Sequence, residues 1–246
     1  FSAGEGGGIL VKGFDQDPVM GVPYNYDYYD RLVTSIGFEK STDYLSGYLG
    51  RENTLSVRYR KVANRLASNR GFQVKEFNNA HELDQWLERI VEAHKEAFAE
   101  NHTYFPPTKE EIAHLIKTLK AVVDPHLVKV VLKENRIVGF LVGMPDLSSA
   151  LKKSGGRLWP YGWCYLLMEK RNTNKINLNM LAVDPSYRGK GVVALLYSAL
   201  AGSFFRHNYQ RMELVTVEEG NGKALAEYNK LGACWYKKHR DYRLAI

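Results

Sequence analysis

The residues best suited to chemistry stand at Arg188-Gly189-Lys190-Gly191, between a short apolar run and a long apolar helix pattern. Two of these four positions carry no side chain, so the backbone can approach an anion closely. Apolar residues then recur at 192, 195, 196, 199, 200 and 204, which is a helical period. The first-turn amides of such a helix have no helical acceptor and lie at the positive end of its dipole. Arg188 and Lys190 add full charges beside them. The combination predicts a phosphate or pyrophosphate held mainly by main-chain N–H groups. A nucleotide P-loop is excluded, because it needs four residues between its glycines and a Gly-Lys-Ser/Thr ending. The competing reading is a basic strand–turn–helix junction that binds nothing.

The surrounding pattern supplies the elements that would hold this loop. Asn177 to Val183 is β-competent, and Asp184-Pro185-Ser186 stops it, since proline cannot donate to a ladder. Arg211 to Glu218 alternates as a strand, Asn221 to Leu231 reads as a helix ended by Gly232, and Trp235 to Leu244 as a final strand. Upstream, Phe72 to Phe77 reads as a strand and His81 to Phe98 as one helix. His94 on its apolar stripe is a core or substrate-facing histidine, with no second ligand placed near it. Thr108 to Glu111 is a capping box that starts another helix. Leu127 to Leu132 and Ile137 to Met144 flank Glu134-Asn135-Arg136 as a hairpin. The stretch 145–174 is longer than such a connection needs. It carries Trp159, Tyr161, Trp163 and Tyr165 beside Arg157, Lys170 and Arg171. It reads as a lid or wall for an acceptor or a long acyl chain, or equally as a hydrophobic flap or interface. A peripheral membrane role is the thinnest of its readings.

The first fifty residues repeat part of the last. Ile9 to Phe14 is a strand candidate, Tyr28 to Ile36 a helix ended by Gly37, and Phe38 to Tyr48 one or two strands. The order asparagine, aromatic-bearing helix, glycine, Asp-Tyr recurs in EGNGKALAEYNKLGACWYKKHRDYRL. Leu55 to Ala67 reads as a basic amphipathic connector helix.

The run V-D-P-x-Y-R-G-K-G resembles the acyl-CoA pyrophosphate loop of the GCN5-related N-acetyltransferase (GNAT) superfamily. Arg188, Gly189, Lys190, Gly191 and Val192 match the pattern Arg/Gln-x-x-Gly-x-Gly/Ala, whereas Val193 stands where glycine or alanine is usual. The resemblance covers residues 72 to 246 and is most specific over 176 to 232. It implies an α/β (α+β) fold with a mixed, mostly antiparallel central sheet flanked by helices, in the order β-α-α-β-β-β-α-β-α-β. The chain also resembles an uncharacterised bacterial family with two GNAT-like halves, through its GFD-x-x-P, PYN-x-x-YY and GF-x-K-x-x-D runs. The domains implied are the C-terminal part of a GNAT-like module at 1–50, a connector at 51–71, and an acyltransferase domain at 72–246 with the insertion 145–174.

By the same resemblance, backbone groups of Leu181, Ala182 and Val183 would pair with the pantetheine arm, and Arg188 to Val193 would hold the pyrophosphate. Asn221 would contact CoA. Tyr228 would be the candidate general acid for the departing thiolate. Many relatives carry a basic carboxylate or histidine where this chain has Asn177 and Asn179, which cannot accept a proton and would bind acceptor instead. Glu218 and Glu219 are the nearest alternative bases, and the base stays unassigned. The implied activity is acyl-CoA-dependent N-acyl transfer, with acetyl-CoA or another acyl-CoA as co-substrate and a small-molecule or peptide amine as acceptor. A degenerate domain that binds CoA or another ligand or only scaffolds, and a long-chain fatty-acyl transferase, are the alternatives.

Bulk properties agree. The chain has 246 residues, 45% of them apolar, enough for a sizeable core. A formal charge of +7 suits a polyanionic cofactor. The basic residues are scattered and form no recognition motif, so no nucleic-acid partner is expected. Cys164 and Cys234 form no redox or metal spacing, so a cytoplasmic setting and no metal are expected. No apolar run reaches the roughly 18 residues of a membrane span, so no stable membrane insertion is expected. Sheet edges left by an incomplete first module would suit pairing with a second copy.

Overall fold

Among the described residues, eight strands form a single sheet, and their register explains where it opens. They are β1 (Ile9–Lys12), β2 (Glu39–Gly50), β3 (Phe72–Glu76), β4 (Val128–Lys133), β5 (Arg136–Pro145), β6 (Lys175–Val183), β7 (Arg211–Glu218) and β8 (Cys234–Arg243). The computed structural model describes residues 8–52, 63, 71–99 and 108–244. The strand order is β1-β8-β2-β7-β6-β5-β4-β3, and every pairing is antiparallel except β6 with β7. The mixed, mostly antiparallel sheet is the class expected from the sequence.

The helices are α1 (Tyr29–Ser35), α2 (Ala80–Asp84), α3 (Leu87–Phe98), α4 (Lys109–Val122), α5 (Ser148–Ser154), α6 (Gly162–Asn172), α7 (Val192–Arg206) and α8 (Gly222–Lys230). On one face of the sheet, Leu195, Leu196, Leu200 and Phe204 of α7 cover Ile176, Leu178, Met212 and Leu214. On the other, Leu87 and Ile90 of α3 join Val130, Phe140 and Val142. Each such buried side chain contributes about 1.5–3 kcal/mol relative to exposure. Both core layers meet β5 and β6, and β6 leads into the loop at 188–191.

Local chemistry sets most element ends. Glu134 and Asn135 take φ of 51° and 62°, which turns β4 into β5 as a two-residue hairpin. Thr108 Oγ1 accepts from Glu111 N (3.2 Å) and Glu111 Oε2 accepts from Thr108 N (2.7 Å), the capping box at the start of α4. The helix expected over 81–98 is divided instead. Asn79 caps α2 by accepting from Glu82 N, and the chain turns at Gln85-Trp86 before α3 begins. Trp86 packs edge-on to Phe77 (5.9 Å) and lies 4.2 Å from the Arg89 guanidinium, so tertiary packing re-aims the helix there. The insertion holds two helices, α5 and α6. The connector expected at 55–67, apart from helical Ala63, and the loop at 101–107 lie outside the described residues.

The N-terminal strands are part of the same sheet. β2 lies between β7 and β8, and β1 pairs with the far side of β8. Asp43 of β2 is 1% exposed there. It accepts from Arg240 Nε (2.7 Å) and Lys238 Nζ (2.9 Å) and pairs with Lys40 (3.0 Å). These cations hold its carboxyl well below the usual carboxylate range.

Candidate functional site

β6 and β7 pair only over Lys175–Leu178 and Arg211–Leu214. Beyond Leu178, β6 continues along β5 from Met180↔Val142 to Val183↔Gly139. β7 continues along β2 through Val217↔Leu45 and Glu218↔Tyr44. The two strands therefore fork. Each carries a bulge at the fork: Asn179 is the extra residue of β6, and Val215-Thr216 break the register of β7, with Thr216 at φ 48°. Bulges bend a strand and increase its twist, which is the local cause of the divergence. The facing edges of 179–183 and 215–218 are left without a ladder between them. Such an edge accepts an extended, amide-bearing chain as an added strand.

The loop beside the fork is built to present amides. Gly189 and Gly191 take φ of 76° and 90°, left-handed values that disfavour a side chain. Among the described residues, the N–H groups of Gly189, Gly191, Val192 and Val193 have no acceptor. The loop is held from outside. Asp184 Oδ1 accepts from Ser186 N (2.8 Å), and Arg136 lies 2.9 Å from Asp184. Arg188 donates to the Ala97 carbonyl near the end of α3 (3.2 Å). The Lys190 ammonium lies 5.0 Å from the Tyr187 ring centroid. Val192 is 1% exposed, and a Cβ on Gly139 would come within 2.6 Å of it, so β5 needs glycine there to seat α7. Val193 packs against the core cluster, and its N–H stays with the unpaired set. Arrayed amides at a helix start, backed by lysine and arginine, suit a diphosphate.

The two faces of the fork differ chemically. On the α7 face, Tyr228 is buried and bonded to Tyr197 between their hydroxyls (2.8 Å), with the Trp235 ring edge-on at 6.1 Å. Burial pushes its phenol up. On the opposite face, Asn177 sits across from Glu213, the third of four register pairs before the strands part. Asn177 is 1% exposed, yet among the described residues neither its Oδ1 nor its Nδ2 has a partner, and Asn179 Oδ1 has none either. Glu213 is buried, bonded by the Tyr236 hydroxyl and by Arg211 Nε (3.1 Å). Burial raises its carboxyl above the usual range, Tyr236 and Arg211 opposing that shift. The Arg211 guanidinium stacks 3.8 Å from the Tyr48 centroid. The loop before β2 covers this face: Lys237 donates to Asp17 O, His239 Nε2 lies 3.0 Å from Pro23 O, and Met20 N donates to Ser148 of α5.

Leu181, Ala182 and Val183 lie on the open arm of β6. Asn221 is the N-cap of α8, accepting from Ala224 N (3.1 Å). Glu218 ends β7 exposed, and Glu219 is engaged by Lys40 (2.9 Å). His94 stacks on Phe98 and Phe140, and burial lowers its pKa. The reading from sequence missed Glu213, Arg211 and Tyr236. Its available signal was the alternation R-M-E-L, which puts two charged residues on one side of an interior strand.

Comparison with known proteins agrees with this geometry. The family model described as acetyltransferase (GNAT) family matches residues 87–233. "Protein YghO" of Escherichia coli K12 is 23% identical over 97% of the chain, and "Bacterial ceramide synthase" of Caulobacter vibrioides is 26% identical over 97%. The chain spans 62% and 63% of the length of these two relatives. A GCN5-related N-acetyltransferase from Sphaerobacter thermophilus superposes over 88% of the chain and 56% of its own, with TM-score 0.53 and 19% identity. A tandem GNAT protein from the clavulanic acid biosynthesis pathway covers 92% of this chain and 61% of its own, with TM-score 0.53 and 12% identity. These two structures share the fold.

Proposed function

This chain belongs to the acetyltransferase (GNAT) family, and we propose that it is an acyl-CoA-dependent N-acyltransferase that moves an acyl group directly from the thioester to an amine. The observation that supports this reading best is the fork after Leu178 and Leu214, standing beside a loop whose amides lack acceptors. The loop 188–193 takes the diphosphate, and the open edge of Leu181–Val183 takes the pantetheine amides as an added strand. Asn177 and Asn179 hold the acceptor on the opposite face. The amine nitrogen attacks the thioester carbon, the C–N bond forms, and the C–S bond breaks. The amine proton passes to Glu213, the thiolate takes a proton from Tyr228, and free CoA leaves. A base with a raised pKa suits proton removal near neutrality, and a desolvated phenol must give up its proton by positioning rather than by acidity. Orientation and fixed backbone dipoles supply most of the rate.

One observation favours a long-chain version. Seven large apolar residues of the insertion, from Leu158 to Met168, are exposed. The relative named a bacterial ceramide synthase points the same way, because a ceramide is a long-chain amide. Calorimetric titration with acetyl-CoA and then with acyl-CoAs of increasing length tests both readings. Heat with every donor supports transfer, and affinity that rises with chain length selects the lipid version. No heat and no thermal shift with any donor leaves a scaffold or a binder of another ligand.

A further inference from the structure

The insertion presents apolar side chains that the fold leaves uncovered. The segment 145–174 carries five basic residues, Lys152, Lys153, Arg157, Lys170 and Arg171, against two acids, Asp146 and Glu169. Along it, Leu158, Trp159, Tyr161 and Trp163 are 59%, 81%, 70% and 51% exposed. Leu167 and Met168 on the next turns of α6 are 55% and 60% exposed. Gly162 is the one buried residue of α6, packed where a Cβ would collide with the Arg157 carbonyl. The helix is seated there and through Lys170, which donates to the Val123 carbonyl (3.4 Å), and it leaves Trp163, Tyr165, Leu167 and Met168 outward. Lys153, Arg157 and Arg171 are exposed around them.

We propose that this face docks the protein on an anionic lipid bilayer. Tryptophan and tyrosine place an apolar body and a polar tip at the headgroup boundary, which is where amphipathic rings are most stable. Leucine and methionine enter the acyl region, and the surrounding cations meet anionic headgroups. The charge asymmetry argues for a membrane over a protein partner, because the exposed charges of the segment, Lys152, Lys153, Arg157 and Arg171, are all basic and its two acids are half-buried. Among the described residues no helix is long and apolar enough to cross a membrane, so attachment would be peripheral. The segment leaves the sheet at Pro145, which pairs with Ile176, and Asp146 N returns to Lys175 O (3.0 Å). The docking face is therefore rooted one residue from Asn177, on the strand that carries the proposed acceptor site.

The test is co-sedimentation of the full chain with vesicles of phosphatidylcholine alone and of phosphatidylcholine with 30 mol% phosphatidylglycerol (roughly the charge of a bacterial inner leaflet). The expected result is capture by the anionic vesicles, with a blue shift of tryptophan fluorescence. The double variant W159S/W163S lowers partitioning by about tenfold or more, and R157E/R171E abolishes the preference for anionic lipid. Both substitutions lie on exposed side chains, and unchanged melting temperatures show that the variants fold. Absence of capture by either vesicle overturns the proposal. So does a concentration-dependent dimer that W159S/W163S dissolves while vesicles capture nothing, which makes the face a contact between copies. Because binding is read without acyl-CoA, its failure is distinct from failure of the transferase reading.

Discussion

Asp43 and Asn177 are equally buried, each 1% exposed on a central strand, yet the protein treats them in opposite ways. Asp43 is surrounded by Arg240, Lys238 and Lys40, whose donors satisfy both its oxygens. Among the described residues, Asn177 has no partner for either polar atom. A buried polar group left unpaired costs about 1–3 kcal/mol, so a fold keeps it only when something else meets it. The β2–β8 end of the sheet uses polar residues to hold strands together. The β6–β7 end leaves polar groups and ladder edges unmatched, and the orphan amides of 189–193 belong to the same set. That contrast separates structure from site more sharply than residue type does.

The strongest way to sharpen the comparison is Glu213→Gln. If Glu213 belongs with the site, kcat falls by about a thousandfold, a general-base magnitude. The acidic limb of the pH–rate profile disappears too, since the wild-type rate rises with pH as the carboxyl, raised by burial, ionises. A variant that melts lower but turns over normally would instead place Glu213 with Asp43. Next in size is Asp43→Ala, which leaves Arg240 without its carboxylate and Lys40 and Lys238 with Glu219 alone, and lowers stability by about 3 kcal/mol in urea melts. The folded pKa of Asp43 is depressed. Its contribution is therefore fully present above the unfolded value of about 3.9 and is lost as pH falls through the folded one. Acid denaturation of wild type, and a smaller acid effect in the variant, checks the sign. Gly191→Val puts a β-branched residue at φ 90° among the orphan amides and weakens acetyl-CoA binding by about a hundredfold in calorimetry. The smallest effect is Asn177→Leu, which removes an unpaired buried amide and raises stability by about 1 kcal/mol while raising the acceptor KM. A loss of stability in Asn177→Leu would break the comparison.

Much of the candidate site could be read locally. Glycines at 189 and 191, the proline stop at 185 and the apolar period from 192 are short-range signals. They describe a loop whose backbone geometry is set within a few residues. The capping box at Thr108 and the hairpin at Glu134-Asn135 are of the same kind. The break at Trp86 is different, because the apolar stripe continues through it and only the Phe77 and Arg89 contacts select the turn. Glu213 was also out of reach. Its alternation with Met212 and Leu214 gives it a face, but its raised pKa comes from burial, and its hydrogen bond comes from Tyr236 two strands away.

What this sequence determined by itself is the glycine turn at 188–191, the strand and helix periods around it, and so the fold family, since each rests on conformational preferences of neighbouring residues. Tertiary structure alone decided that β2 enters between β7 and β8, that β6 and β7 part after Leu178 and Leu214, and which polar groups stay unmatched. Those outcomes depend on register between strands distant in the chain. Register is an energy of many cross-strand contacts, and no single stretch of sequence contains it.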